Sequence, residues 1–173
     1  MDSVKCEVRK LVIPTYPEPK AEDLPMFAEN RVHQRTSGNP YPNKVVLKVN
    51  RDEKINKEYD VVLLENEYLK IEILPEIGGR IYSALDKTTG YDFFYKQHVI
   101  KPALIGVLGS WISGGVEFNW PFHHRASGFM PCDYTLETLP DGSAVCHLSE
   151  HDPIDRMKGM VSIILRPNGK RFE

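Results

Sequence analysis

The chain has 173 residues, with 22 Lys plus Arg against 24 Asp plus Glu, a formal net charge of -2 and 41% hydrophobic residues. That is one globular domain with enough apolar side chains to bury a core. The balanced charge gives no field to hold a nucleic-acid backbone or an anionic membrane surface, and the longest apolar run, Pro102 to Leu108, is far below the roughly 20 residues that cross a bilayer.

The opening decapeptide MDSVKCEVRK lacks the apolar centre of a secretory leader. The expectation is a soluble, cytoplasmic protein. Cys6, Cys132 and Cys146 are odd in number and widely spaced, which suits neither a disulfide framework nor a CxxC metal pair. They read as reduced thiols, with Cys132 and Cys146 on adjacent strands, either in cross-strand contact or simply packed in the core.

Six of the 13 prolines, Pro14, Pro17, Pro19, Pro25, Pro40 and Pro42, lie in the first quarter of the chain. Proline fixes φ and removes a backbone donor, so this stretch holds neither a central strand nor a long helix. Residues 1–42 therefore read as an extended arm with one short strand near Val8 to Ile13 and a helical turn within Ala21 to Arg31. From Asn43 to the last residue the texture is that of one β domain. Val45 to Val49 and Tyr59 to Glu65 read as strands, and Glu65-Asn66-Glu67 as a turn. In Tyr68 to Leu74 the residues Leu69, Ile71 and Ile73 share one face and Lys70 and Glu72 the other, the pattern of a half-buried antiparallel strand.

Further strands are expected at Arg80 to Leu85, Tyr91 to Tyr95, Val116 to Asn119, Met130 to Thr138, Ala144 to Ser149 and Gly159 to Arg166. Leu139-Pro140-Asp141-Gly142-Ser143 is a hairpin connection. Turn signals every 8 to 12 residues, with almost no helical periodicity, argue for an all-β protein built as an antiparallel β-sandwich. After the apolar run Gly159 to Leu165, Pro167-Asn168-Gly169 is a turn sequence with no room for a returning strand. The edge so exposed would be covered by the proline-rich arm, by a second copy of the chain in a homodimer, or by more of a longer protein.

Residues able to donate, accept or move protons concentrate between Gly114 and Met130. Glu117, Asn119, His123, His124 and Arg125 stand beside the flat apolar rings of Trp120 and Phe122. Carboxylates and amides for paired hydroxyls, with an aromatic plane for the C-H face of a ring, are what a carbohydrate ligand requires. Period-two alternation puts Glu117 and Asn119 on one face of an extended segment. The same residues also read as core aromatics with loop histidines, and spacing alone does not separate the two. Metal ligation by His123, His124 and Glu117 needs a bent loop, since adjacent strand histidines point apart, so no metal and no cofactor is expected. His147, Glu150, His151, Asp152, Asp155 and Arg156 read as a solvated strand end or as a second wall of the same site. Arg80, after Gly78-Gly79, is either a cationic clamp in that site or a solvated side chain.

Tyr68 to Ile81, with its Pro75-Glu76-Ile77-Gly78-Gly79-Arg80-Ile81 turn, together with Asp86-Lys87-Thr88-Thr89-Gly90, resembles the opening of galactose-mutarotase-like proteins. With Ser113 to Pro121 and His123-His124, the sequence is most similar to a bacterial branch of that superfamily found ahead of tetratricopeptide repeats. The resemblance covers residues 40 to 166. It implies a β-supersandwich, present here in its N-terminal part, whose concave face binds carbohydrate, in a relative of aldose epimerases and glycoside hydrolases. It further implies acid-base chemistry on a sugar ring, for which His123 or His124 is the acid candidate by residue type and not by a matching motif, and Glu117 is the carboxylate candidate within this chain. Arg80, Asn119, Trp120, Arg125 and His151 would bind the substrate. Glu117 with Glu150 or Asp152 would form a glycosidase-type pair. The alternative is a sugar-binding or interaction module without turnover. The implied partners are a carbohydrate and a repeat region of a longer protein.

Overall fold

The computed structural model describes residues 3–18, 48–105, 109–120, 126–152 and 156–173. The chain runs through β1 (Lys5–Thr15), β2 (Ile55–Glu65), β3 (Leu69–Leu74), a 3-10 turn (Pro75–Ile77), β4 (Arg80–Asp86) and β5 (Tyr91–Asp92). It continues through β6 (Ala103–Ile105), β7 (Gly109–Trp111), a 3-10 turn (Ala126–Phe129), β8 (Asp133–Thr138), β9 (Ala144–Asp152) and β10 (Met157–Leu165). One sheet has the order β1-β2-β3-β4-β5, a second β10-β9-β8, and β6-β7 form a separate ribbon. Every ladder is antiparallel, so the fold is all-β, as the turn spacing predicts.

The strand near Val8 to Ile13 is longer than its sequence indicates. All of Lys5–Thr15 pairs with β2, Lys5 opposite Glu65 and Thr15 opposite Ile55. Its place at the sheet edge accommodates Pro14, which has no N–H to give to an outer neighbour. Residues 19–42 of the expected arm, with the helical turn at 21–31, lie outside the described residues, as do residues 45–47 of the strand expected at 45–49, whose described end, Lys48 and Val49, is not in a strand.

Two apolar layers hold the molecule together. Val62, Leu64, Leu69, Ile71, Ile73, Ile81 and Ala84 on one face of the five-stranded sheet pack against Ala144, Cys146, Leu148, Ile163 and Leu165 of the three-stranded sheet. This is the sandwich core, and each such buried aliphatic side chain contributes about 1.5–3 kcal/mol. On the opposite face Ile13, Tyr59, Val61, Leu74, Ile77 and Tyr82 meet Ile100 and Ile112 of the segment that follows β5. That segment is stitched down by Ile100, whose N–H donates to the Pro14 carbonyl and whose carbonyl accepts from the Tyr16 N–H, both at 2.9 Å. The alternation in β3 therefore differs from the half-buried expectation. Leu69, Ile71 and Ile73 face the sandwich core, but the Lys70–Glu72 face is also covered, and Glu72 is buried. The cause is topological, because β3 is the central strand of five.

The register shifts between Glu72 and Ile73, where β4 carries the extra residue Tyr82. The bulge turns the Tyr82 ring into the second core, where its hydroxyl donates to the Gln97 carbonyl at 2.8 Å. The chain after Pro167-Asn168-Gly169 also corrects the expected absence of a return. Phe172 bridges Leu165 in antiparallel fashion, and Ile164 and Glu173 exchange two backbone hydrogen bonds at 2.8 and 3.0 Å. Asn66 joins the two sheets at this end. Its Nδ2 donates to the carbonyls of Arg166 and Gly169, each at 2.8 Å, while its Oδ1 accepts from the N–H groups of Tyr68 and Leu69.

Candidate functional site

The segment that carries Glu117 is held against β4. Val116 bridges Ile81, with the Val116 N–H donating to the Ile81 carbonyl at 2.9 Å and the Ile81 N–H returning at 3.2 Å. Gly115 is required here. Its φ is +70°, and a Cβ would run into the Ile81 carbonyl oxygen. Val116 and Phe118 pack on the sandwich core. Alternation then directs Glu117 and Asn119 to the other side of the segment, and Asn119 is exposed.

One step along from the Ile81–Val116 bridge, the antiparallel register sets Arg80 across from Glu117. Arg80 is only 2% exposed and not solvated. Its Nη1 donates to the carbonyls of Ile112 at 3.0 Å and Gly114 at 2.9 Å, so the guanidinium ties β4 to the loop that delivers Glu117. A charged fork in this position holds two carbonyls that would otherwise lose their hydrogen bonds on burial.

Trp120 reaches the other sheet. Its indole lies on Gly159 of β10, where a Cβ on the glycine would collide with the ring. Gly159 pairs with Glu150 of β9, so Glu150 projects from the same face of the sheet beside the indole. That face is the one on which Cys146 and Leu148 enter the core. His151 is exposed and, one residue further on, belongs to the opposite face, as does His147, which lies 2.8 Å from the Ser162 hydroxyl and 3.3 Å from Glu137. The structure thus brings Arg80 to Glu117 and Trp120 to Glu150, and places His151 away from the latter pair. His123, His124 and Arg125 lie outside the described residues, as do Phe122 and Asp155. Among the described residues no group of three or more His, Cys, Asp or Glu side chains could hold a metal ion.

The cysteines of this half belong to the core. Cys132 and Cys146 are not cross-strand partners, since Cys146 stands opposite Leu136. Burial, and then the neighbouring Cys6 and Cys132 thiols, push the Cys146 thiol up to about 12.

Two further groups of polar residues escaped the sequence reading. Glu72, 5% exposed through its side chain, is ringed by Arg9 of β1, by Lys70 at 3.2 Å and by Lys96 at 3.2 Å. Burial first, with the Arg9 guanidinium adding to it, pulls the Lys70 and Lys96 ammonium groups below the usual lysine range. The second group lines a cavity of about 310 Å³ formed by residues 15–18, Lys57, Tyr59, Glu76, Ile77, Phe129 and Pro131. None of the residues predicted for the site lines it.

A solved structure described as a TPR-domain containing protein from Parabacteroides distasonis ATCC 8503 is similar to this chain, with a TM-score of 0.82 and 23% identity. The match covers 98% of this chain and 28% of that one, so the chain spans little more than a quarter of the length of that protein. At that identity the likeness concerns the fold. No helix among the described residues is long and apolar enough to cross a membrane. A family model with the description "Domain of unknown function (DUF5107)" matches residues 37–173, which take in nine of the ten strands, from β2 to β10, and every predicted site residue, and the chain belongs to that family.

Proposed function

We propose that the chain is a carbohydrate-binding domain of a carbohydrate-active protein, related to the galactose-mutarotase-like enzymes, with its site at the edge of β4. The observation that carries this reading is the placement of Arg80 opposite Glu117. Two motifs more than thirty residues apart in sequence thereby supply one cation and one carboxylate at the same place. Asn119 and Trp120 follow on the same segment, and His123, His124 and Arg125 come next in sequence.

In this reading Glu117 and Asn119 take the hydroxyls of a sugar on one side of the segment, Arg80 fixes the loop, and Trp120, turned to the other side against Gly159, anchors the segment to β10. If the protein turns its ligand over, Glu117 removes a proton from a ring hydroxyl and His123 or His124 returns one to the ring oxygen. A sugar-binding module without turnover is the second reading. It is favoured by the chain matching only 28% of its repeat-containing structural relative, because catalytic partners of Glu117 then belong to the remainder of such a protein.

The test is hexose binding and mutarotation followed by NMR on glucose and galactose. Binding should weaken about tenfold in Asn119→Ala, which removes an amide, and in Glu117→Gln, which exchanges a carboxylate acceptor for an amide donor. Unchanged binding in both variants would overturn the reading. Mutarotation that survives Glu117→Gln would leave the module and remove the base.

A further inference from the structure

The cavity at the ends of β1 and β2 has no part in the site just proposed. Its walls come from four separate segments, 15–18, 57–59, 76–77 and 129–131, and its volume of about 310 Å³ sits at the lower end for a small-molecule site, room for one ring and not for a chain. Flat apolar surfaces dominate the lining, with Tyr16, Pro17, Tyr59, Ile77, Phe129 and Pro131 around it.

The polar groups in that wall select what it can hold. Thr15 donates its only hydroxyl proton to the Ile13 carbonyl at 2.9 Å, so in the 3.0 Å contact between Thr15 and Tyr59 the phenol must be the donor. The Tyr59 oxygen then has only lone pairs to offer. Burial, the largest influence on it, raises the phenol above its usual value and keeps that proton in place. Glu76 accepts from the Asp60 N–H through Oε1 at 3.0 Å and faces the Lys57 ammonium through Oε2 at 3.2 Å. Both carboxylate oxygens retain an acceptor site, and Lys57, 4.3 Å above the Tyr59 ring, retains donor capacity.

The wall is therefore rich in acceptors, with the Lys57 ammonium as a donor beside them, and its charges are already engaged, Lys57 and Glu76 with each other at 3.2 Å and Glu18 in an interaction of its own. An ionic ligand would have to break one of these interactions. A neutral ligand with vicinal hydroxyls can donate to Glu76 and accept from Lys57 while leaving the pair intact, and its C-H faces can lie on the tyrosine, phenylalanine and proline surfaces. We infer that this cavity is a second small-molecule site, for a neutral polyhydroxylated ring of monosaccharide or cyclitol size. Lys57 and Glu76 form its polar wall and Tyr16, Tyr59 and Phe129 its apolar one.

The experiment is saturation-transfer NMR on the full chain with methyl β-D-glucopyranoside, myo-inositol and choline chloride as probes at millimolar concentration. At least one of the two polyols should receive saturation and choline none. Glu76→Gln and Lys57→Met, each made in the Asn119→Ala chain so that the other proposed site is weakened, should lower that binding about a further tenfold. Lys57 is a rim residue, 43% exposed through its side chain, so its variant reports even if Glu76→Gln fails to fold. Silence from both polyols, choline binding in their place, or polyol binding that Asn119→Ala abolishes and Lys57→Met spares, would each overturn the inference. The first also counts against hexose binding at the Glu117 site, the second leaves that site untouched, and the third moves the ligand to it.

Discussion

At the scale of single residues, Glu72 decides the character of the five-stranded sheet's outer face. A carboxylate at 5% exposure is held there by three cations, from β1, from its own strand and from the segment after β5. Replacing it with Ala leaves Arg9, Lys70 and Lys96 facing one another with no counter-charge. The expected loss is about 3 kcal/mol, since breaking a buried ion pair strands its partners. Urea unfolding of Glu72→Ala measures it, and a loss below about 1 kcal/mol would show that the cations relax into solvent at little cost. The sequence hides this role. Lys70 and Glu72 alternate with Leu69, Ile71 and Ile73 as the solvated face of a strand should, and only the neighbours supplied by Arg9 and Lys96, 63 and 24 residues away, convert that face to a buried one.

At the scale of elements, the contact between Trp120 and Gly159 joins the Glu117 segment to β10. A methyl group on Gly159 has no room beneath the indole, so Gly159→Ala should expel the ring. We expect a loss of about 1–3 kcal/mol together with a red-shifted tryptophan emission. Unchanged emission and stability would mean that the indole does not rest on β10. Elements written in local pattern were legible before folding. The alternation of Leu69, Ile71 and Ile73, the Leu139 to Ser143 hairpin and the apolar run of β10 all appear where they were expected, within a few residues. The hairpin of β6 and β7 was not, because three-residue strands around glycines carry no period. Tyr91 to Tyr95 yields only a two-residue strand, since the Asp92 carboxylate turns back to the Ser83 hydroxyl and the Ala84 N–H. The candidate site was legible where one segment supplies it, as with Glu117 and Trp120. The cavity was not, because its four contributing segments become neighbours only when the sheet closes.

At the scale of the whole molecule, Cys146 reports on the seal between the two sheets. It is fully buried between them, so a thiol reagent should reach it only when the sandwich opens. Its modification rate should then track global unfolding, while Cys6 and Cys132, both partly exposed, react faster. The raised thiol also has a pH consequence. Between its ordinary value and about 12 the native thiol keeps a proton that the unfolded chain has lost, so stability falls as pH rises through that window. Cys146→Ala should flatten the alkaline fall, and an unaltered alkaline limb in guanidinium titrations would assign it to other groups.

The Asn66 amide, finally, sets a kinetic order. It closes hydrogen bonds to Arg166 and Gly169, 100 and 103 residues further along the chain, and loop closure across such a distance is entropically expensive and slow. The β2-β3 turn that presents the amide forms from near neighbours, whereas its acceptors arrive only after the second sheet has formed and docked. Refolding should therefore gain most of its strand signal before this clasp engages, and proteolytic sensitivity of the last eight residues should be the last property to disappear.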